Sequence, residues 1–209
     1  MYFDSDWESG DGGWTFDGFL HGSNPYGGTG FAPANPGAFS GVNYWFAPDT
    51  GFGATDHLTS PTYVMTAGDM FLNLTFTHHY NLETGFDGGA VLIQVNGGSF
   101  NYVPAPNVTD YDQVMDASTD TLGGLEAYTG NSGGAYFTSN VNLSSLVNPG
   151  DSFAIRFAQG EDSSGSGDGW YIDDLTLSSS VSAIPEPTAL AMFSSVAVVL
   201  LRRRKSVCL

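Results

Sequence analysis

The sequence predicts an all-β fold, an antiparallel β-sandwich of the jelly-roll kind, followed by a single short C-terminal transmembrane helix. Three observations lead there. Before residue 188 no segment sustains a helical period, whereas several short runs alternate apolar and polar side chains. Glycine occurs 28 times, and Asn, Ser, Thr and Asp fill the gaps between apolar runs, which is the composition of a chain with many turns. From residue 188 the pattern changes to an uncharged apolar stretch that ends in consecutive cations.

Taken in order, the first 60 residues are rich in Gly, Pro and aromatics, and are expected to hold short strands at 14–19 and 43–46 between long loops. Residues 70–80 give the clearest strand. Leu72, Leu74, Phe76, His78 and Tyr80 share one face, and Asn73, Thr75, Thr77 and His79 the other. A strand at 90–95 follows, with Val91, Ile93 and Val95 on one side. Asn96-Gly97-Gly98 reads as a hairpin turn into a returning strand at 100–103. Further strands are expected at 134–141, at 152–158 with Phe153, Ile155 and Phe157 alternating, and at 170–177. Six to ten short strands on one core suggest a sandwich, and the lack of an internal repeat argues against a propeller. The expected organisation is a β-sandwich domain over 1–178, a linker over 179–184 and a tail over 185–209.

Residues 188–201 carry no charge, and Arg202, Arg203, Arg204 and Lys205 follow directly. Fourteen residues at about 1.5 Å each span roughly 21 Å of a hydrocarbon core of about 30 Å, and snorkelling cations lengthen the reach. Pro187 suits the first helical turn, and Pro185 disfavours helix before it. The positive end marks the cytoplasmic side, so everything upstream faces outward. Pro185-Glu186-Pro187, the apolar stretch and Arg202–Lys205 together resemble a PEP-CTERM sorting signal. That resemblance implies recognition by an exosortase in the envelope of a Gram-negative bacterium. The tail would anchor transiently in the inner membrane, be cleaved near Pro185–Pro187, and leave the body at the cell surface or outside the cell. Export requires a signal peptide. Residues 1–6 have neither a positive nor an apolar region, so the natural start is expected upstream. Cys208, beyond the cations, is read as an incidental thiol; no other Cys exists to form a disulfide.

Residues 1–187 hold all 22 acidic side chains and one basic one, Arg156, a formal charge of about −21. Such a surface repels nucleic acid and suits divalent cations or simple solubility. The aromatic fraction of 14% is enough to build a core, which argues against disorder.

Several segments in sequence order resemble MAM-like, concanavalin-like jelly-roll modules of extracellular proteins. They are Asp6-Trp7-Glu8-Ser9-Gly10 with Gly13-Trp14-Thr15, Leu58-Thr59-Ser60-Pro61, His79-Tyr80 with Glu83, Asp87-Gly88-Gly89, Asn96-Gly97-Gly98, and Gly169-Trp170-Tyr171-Ile172-Asp173-Asp174-Leu175. The resemblance implies a binding or adhesive module and no catalysis.

A structural calcium is the sharpest chemical expectation, since calcium takes six to eight oxygen ligands. Asp6 and Glu8 would share the face of an N-terminal strand. Glu83 and Asp87 flank a turn, and Asp173 and Asp174 interrupt an apolar strand, where one of them must face inward. A carboxylate facing a core needs a partner, and only Arg156 is available as a cation. The resemblance points to Asp173 or Asp174 with Glu8 as the centre of such a site; an Asp hydrogen-bonded at a strand end or bulge is the plainer reading. Asp4-Ser5-Asp6-Trp7-Glu8 begins like an EF-hand loop, but Ser9 stands where Gly is needed.

Other motifs carry less. His78 and His79 point to opposite faces of a strand and cannot share an ion. Gly130-Asn131-Ser132-Gly133-Gly134 matches a nucleophile elbow, but no helix follows, so it reads as a turn. Only five Glu exist, and Glu186 belongs to the tail, which leaves little for paired-carboxylate glycosidase chemistry. The sequons at Asn73, Asn107 and Asn142 are chance matches in a bacterium. Tyr44 and Trp45, in a loop-rich region, are the aromatics expected to stack on a sugar. The sequence thus points to an exported, non-catalytic β-sandwich with a structural or adhesive role in an extracellular matrix, with a carbohydrate-binding module as the alternative.

Overall fold

The computed structural model describes residues 1–22 and 37–181. The apolar helix, the sorting tripeptide and the basic cluster therefore lie outside the described residues. Among the described residues no helix is long and apolar enough to cross a membrane.

Two antiparallel sheets face each other. Numbered in chain order, the first holds β1 (Phe3–Ser5), β3 (Leu20–Gly22), β4 (Tyr44–Pro48), β7 (Asp69–Asn81), β12 (Phe137–Asn142) and β14 (Gly169–Val181). Its order is β12-β7-β14-β4-β3, with β1 also paired to β14. The second holds β2 (Thr15–Asp17), β5 (Thr55–Thr59), β6 (Tyr63–Val64), β8 (Gly88–Val95), β9 (Phe100–Tyr102), β10 (Gln113–Val114), β11 (Glu126–Thr129) and β13 (Ser152–Gly160). Its order is β10-β11-β8-β13-β5-β2, with β9 on β8 and β6 on β13. The long alternating strands fall where the sequence puts them. Asn96 and Gly97 have φ of 52° and 70°, and Gly98 N–H donates to Val95 at 3.0 Å, the geometry of a tight hairpin turn.

Alternation explains the core. Leu72, Leu74, Phe76, His78 and Tyr80 of β7 face Val91 and Ile93 of β8 and Phe153, Ile155 and Phe157 of β13 across the layer between the sheets. Trp7, Trp14, Trp45 and Trp170 fill it further. Trp7 meets Trp14 and Trp45 edge-on at 5.6 and 5.9 Å, and Phe157 meets Trp170 at 5.7 Å. Each buried aromatic contributes about 1.5–3 kcal/mol of transfer energy. A second apolar patch, with Leu92, Met115 and Leu122, forms on the outside of the second sheet under residues 100–125. A third, Tyr44, Phe46 and Tyr171, forms on the outside of the first.

Three expectations need correcting. Tyr44 and Trp45 are not a ligand platform: they are 2% and 0% exposed. β4 lies between β14 and β3, so Trp45 enters the core and Tyr44 is covered on the outer face. Asp6 and Glu8 do not share a strand face. β1 ends at Ser5, Trp7 takes φ 65°, and Glu8 N–H turns back to Asp6 Oδ1 at 3.1 Å. Neither Asp173 nor Asp174 points between the sheets. Trp170 and Ile172 point inward, and a bulge at Asp174 (φ 37°) restores Leu175 and Leu177 to the same side. Asp173 is buried all the same, because residues 37–43 cover the outer face there. The final strand also continues to Val181, through the first residues of the expected linker.

Candidate functional site

Antiparallel pairing brings three loops to one end of the sandwich. Gly169 of β14 sits beside Pro48 of β4 and Asn81 of β7, and Gly160 of β13 sits beside Gly88 of β8 and Thr55 of β5. The segments 49–54, 82–87 and 161–168 therefore meet there, and each delivers acid: Asp49, Glu83 with Asp87, and Glu161 with Asp162. Thr129 fixes the middle segment. Its hydroxyl donates to the carbonyl of Asp87 at 2.7 Å and accepts from Gly85 N–H at 2.8 Å.

Burial here is deep. Asp87 and Gln159 are 0% exposed, Glu161 1% and Asp49 7%. Each acid has one oxygen satisfied by the loops. Gly167 N–H donates to Asp49 Oδ2 at 2.6 Å, and Asp162 N–H to Asp87 Oδ1 at 2.9 Å. Thr50 donates to Glu161 Oε2 from its N–H at 3.2 Å and its hydroxyl at 2.8 Å. The Gln159 amide donates to Pro48 O at 2.9 Å and Glu161 Oε1 at 3.1 Å. Four buried oxygens have no hydrogen-bond partner: Asp49 Oδ1, Glu83 Oε2, Asp87 Oδ2 and Gln159 Oε1. Burial, with the charges of Asp49 and Glu161 beside it, pushes the Asp87 carboxyl up to about 7. Burial and then Glu161 push Asp49 in the same direction. Gly165, at φ 71°, lies against Glu83, and a Cβ there would overlap Glu83 Oε2. The rim is polar and aromatic. Asn81 donates to Asp168 at 2.9 Å and Asn131 to Asn81 at 2.9 Å, while Phe52 stands 86% exposed and Phe86 37%.

The other acids named from the sequence are elsewhere and satisfied differently. Asp173 accepts from Phe39 N–H (2.8 Å), Ser40 N–H (3.1 Å) and Asp174 N–H (2.8 Å). Asp174 accepts from the Ser40 hydroxyl at 2.6 Å. Glu8 accepts from Val42 N–H at 2.8 Å and Asn43 N–H at 2.5 Å. These carboxylates pin residues 37–43 to the sheet. Beside them an open cleft of about 480 Å³ is lined by Asp4, Ser5, Asp6, Ser9, Asp174 and Thr176. The structure thus separates Asp6, Glu8, Asp173 and Asp174 from Glu83 and Asp87. The sequence reading missed Asp49, Gln159 and Glu161. Their signal was a polar or acidic residue at or just past a strand end, in a body with one cation. Among the described residues no three Asp, Glu, His or Cys side chains stand ready-made around one point.

Two serine–histidine contacts are wired for structure. Trp170 Nε1–H donates to His78 Nδ1 at 3.0 Å, so Nε2 carries the proton and donates to Ser139 Oγ at 2.7 Å. Ser139 in turn donates to Asp110. The histidine is a donor to this serine, and both are buried, so it cannot act as its base. Ser132, in the Gly-rich turn, bonds His79 Nδ1 at 2.5 Å and donates to Ala135 O at 3.2 Å. No helix follows that turn, and burial lowers the His79 pKa.

No protein-family model and no curated protein matches this chain. Among solved structures it is similar to TmCBM61 in complex with β-1,4-galactotriose, at 16% identity and a TM-score of 0.49, over 84% of this chain and 94% of that one. It is also similar to the K3 cleaved adhesin domain of Lys-gingipain from Porphyromonas gingivalis, at 15% and 0.45, over 84% and 97%. A third is CBM35 from Paenibacillus barcinonensis, at 14% and 0.39, over 86% and 99%. At these identities and TM-scores no site or ligand carries over to this chain.

Proposed function

We propose that the chain is an exported, non-catalytic jelly-roll protein, sorted by its C-terminal tail, that holds extracellular polysaccharide at the loop end of the sandwich. The observation that carries the binding reading is Phe52. It stands 86% exposed on the same loop as Asp49, at the end of the sandwich where Asn81, Asn131 and Asp168 are hydrogen-bonded to one another. An exposed ring offers an apolar face for a sugar ring, and fixed carboxylates and amides offer acceptors and donors for its hydroxyls. The wiring of Ser139 and Ser132 supports a binding role over a hydrolytic one.

Affinity electrophoresis through gels containing galactan, xylan, cellulose derivatives or polyuronate tests this. At least one polymer retards the chain, and Phe52→Ala weakens that retardation about two- to tenfold, the worth of one stacking contact. Free migration in every polymer would sink the reading. The sorting proposal rests on Pro185-Glu186-Pro187, the apolar stretch and the four cations. In an exosortase-bearing Gram-negative host, given a signal peptide, the mature chain should lose its tail by mass spectrometry. Replacing the tripeptide by Ala-Ala-Ala should leave the tail attached and the protein in the inner membrane. An unchanged mass and location would dismiss the signal.

A further inference from the structure

We propose that Asp49, Asp87 and Glu83, together with the amide oxygen of Gln159, form a site for one divalent cation of the calcium type at the loop end of the sandwich, with the Glu161 carboxylate beside it. The argument begins with unspent acceptors. Asp87 and Gln159 are fully buried and Asp49 nearly so, yet each keeps one oxygen without a hydrogen-bond partner, and so does Glu83. An uncompensated buried acceptor costs about 1–3 kcal/mol, and a buried anion more. Four of them together call for a shared partner.

The orientation of Gln159 is not arbitrary. Its Nε2 lies between two acceptors, Pro48 O and Glu161 Oε1, so turning the amide over would set oxygen against oxygen. That fixes Oε1 as a buried acceptor without a partner, on the residue whose amide binds Glu161. The N–H groups of Gly167 and Asp162 take the other oxygens of Asp49 and Asp87, which leaves the free ones to the site, while both Glu161 oxygens are engaged, one by Thr50 and one by Gln159.

Among the described residues no Lys or Arg supplies the counter-charge. Arg156, the one Lys or Arg among the described residues, stacks on Phe100 at 3.8 Å and donates to Thr59 at 2.9 Å. The donors are all hard oxygens, with no thiolate or imidazole among them, which selects calcium over zinc or copper. Asp49 and Asp87 stand side by side, and the ion would join them to Glu83 and Gln159 by side-chain rotation. It would tie the loop after β4 to the turn after β7 and the loop after β13, and so join the two sheets. The competing explanation is a proton shared by Asp49 and Asp87, which stand side by side.

Terbium luminescence and thermal unfolding of the full chain in detergent, at pH 8 with no glycan present, test the proposal apart from the polysaccharide reading. Terbium should bind saturably and be displaced by calcium. The Tm should rise by about 5–10 °C between EGTA and a hundredfold excess of calcium over its Kd. Asp87→Asn should abolish both signals. Glu83→Gln, at a partly exposed position, should keep the fold and weaken terbium about tenfold. Asp6→Asn, in the other acidic patch, should change neither. Absence of saturable terbium binding would overturn the site, as would an Asp87→Asn chain that keeps the full calcium shift. A rise in Tm for Asp87→Asn in EGTA, in a parent indifferent to calcium, would establish the shared proton instead.

Discussion

The outer face over Asp173 and the loop end around Asp87 hold the same residue types at the same depth, and solve the same problem in opposite ways. Asp173 and Asp87 are both 0% exposed. Asp173 collects three backbone N–H groups, whereas Asp87 collects one and keeps a free oxygen. The number of peptide donors within reach decides which carboxylate is a rivet and which keeps an oxygen unspent. Donors come from loop shape: residues 37–43 aim N–H groups at Asp173 and Glu8, and Gly41 at φ 57° keeps clear of the Glu8 carboxylate, where a Cβ would intrude.

The largest effect should come from removing the rivet. Asp173→Ala leaves three N–H groups without their acceptor and should cost about 3 kcal/mol or more in urea unfolding, by the same amount in EGTA and in calcium. A loss that depends on calcium would break the comparison and move the cation to Asp173. Next in size is a pH effect. Burial holds Asp173 up to about 6, and burial with the charges of Glu161 and Asp17 holds Asp56 up to about 7. Both bind a proton more tightly folded than unfolded, where the carboxyl titrates near 3.9. Their favourable contribution is therefore present below about 4 and lost as pH rises to 6–7. In EGTA the Tm should fall across that window by a few degrees, and Asp56→Asn should flatten its upper half. A Tm that climbs steadily from pH 4 to 7 would contradict the direction of both shifts.

Long strands were legible from the apolar residues at every second position that face the core: Leu72, Leu74 and Phe76 in β7, Val91 and Ile93 in β8, and Phe153, Ile155 and Phe157 in β13; that Ala90, Leu92 and Ala158 on the opposite face are buried too was not. Short edge strands were not. β5 reads Thr-Asp-His-Leu-Thr, with Leu58 as its one buried residue, and β10 has two residues, both exposed. Tyr44 and Trp45 were misplaced because Gly-rich surroundings look like loop, while the pairing that buries them, to β14 far along the chain, leaves no local trace. Asp173 stood out as an acid interrupting an apolar strand; that the N–H groups of Phe39 and Ser40, 134 and 133 residues away, would serve it is a tertiary fact. Glu83 and Asp87 were visible as a turn, but Gln159 and Glu161 join them only through the pairing of β13 with β8.

The first strand lies along the end of the last, with Phe3 opposite Leu177, while Gly169 marks the opposite end of β14 among the acidic loops. Thirteen residues of extended chain measure roughly 40 Å. Whatever grips the polypeptide beyond Val181 thus holds the domain by its foot. The crown with Phe52 and Phe86 is presented about that far outward, and a pull between crown and foot runs along β14, loading the ladders of β7 and β1 in shear rather than peeling them bond by bond.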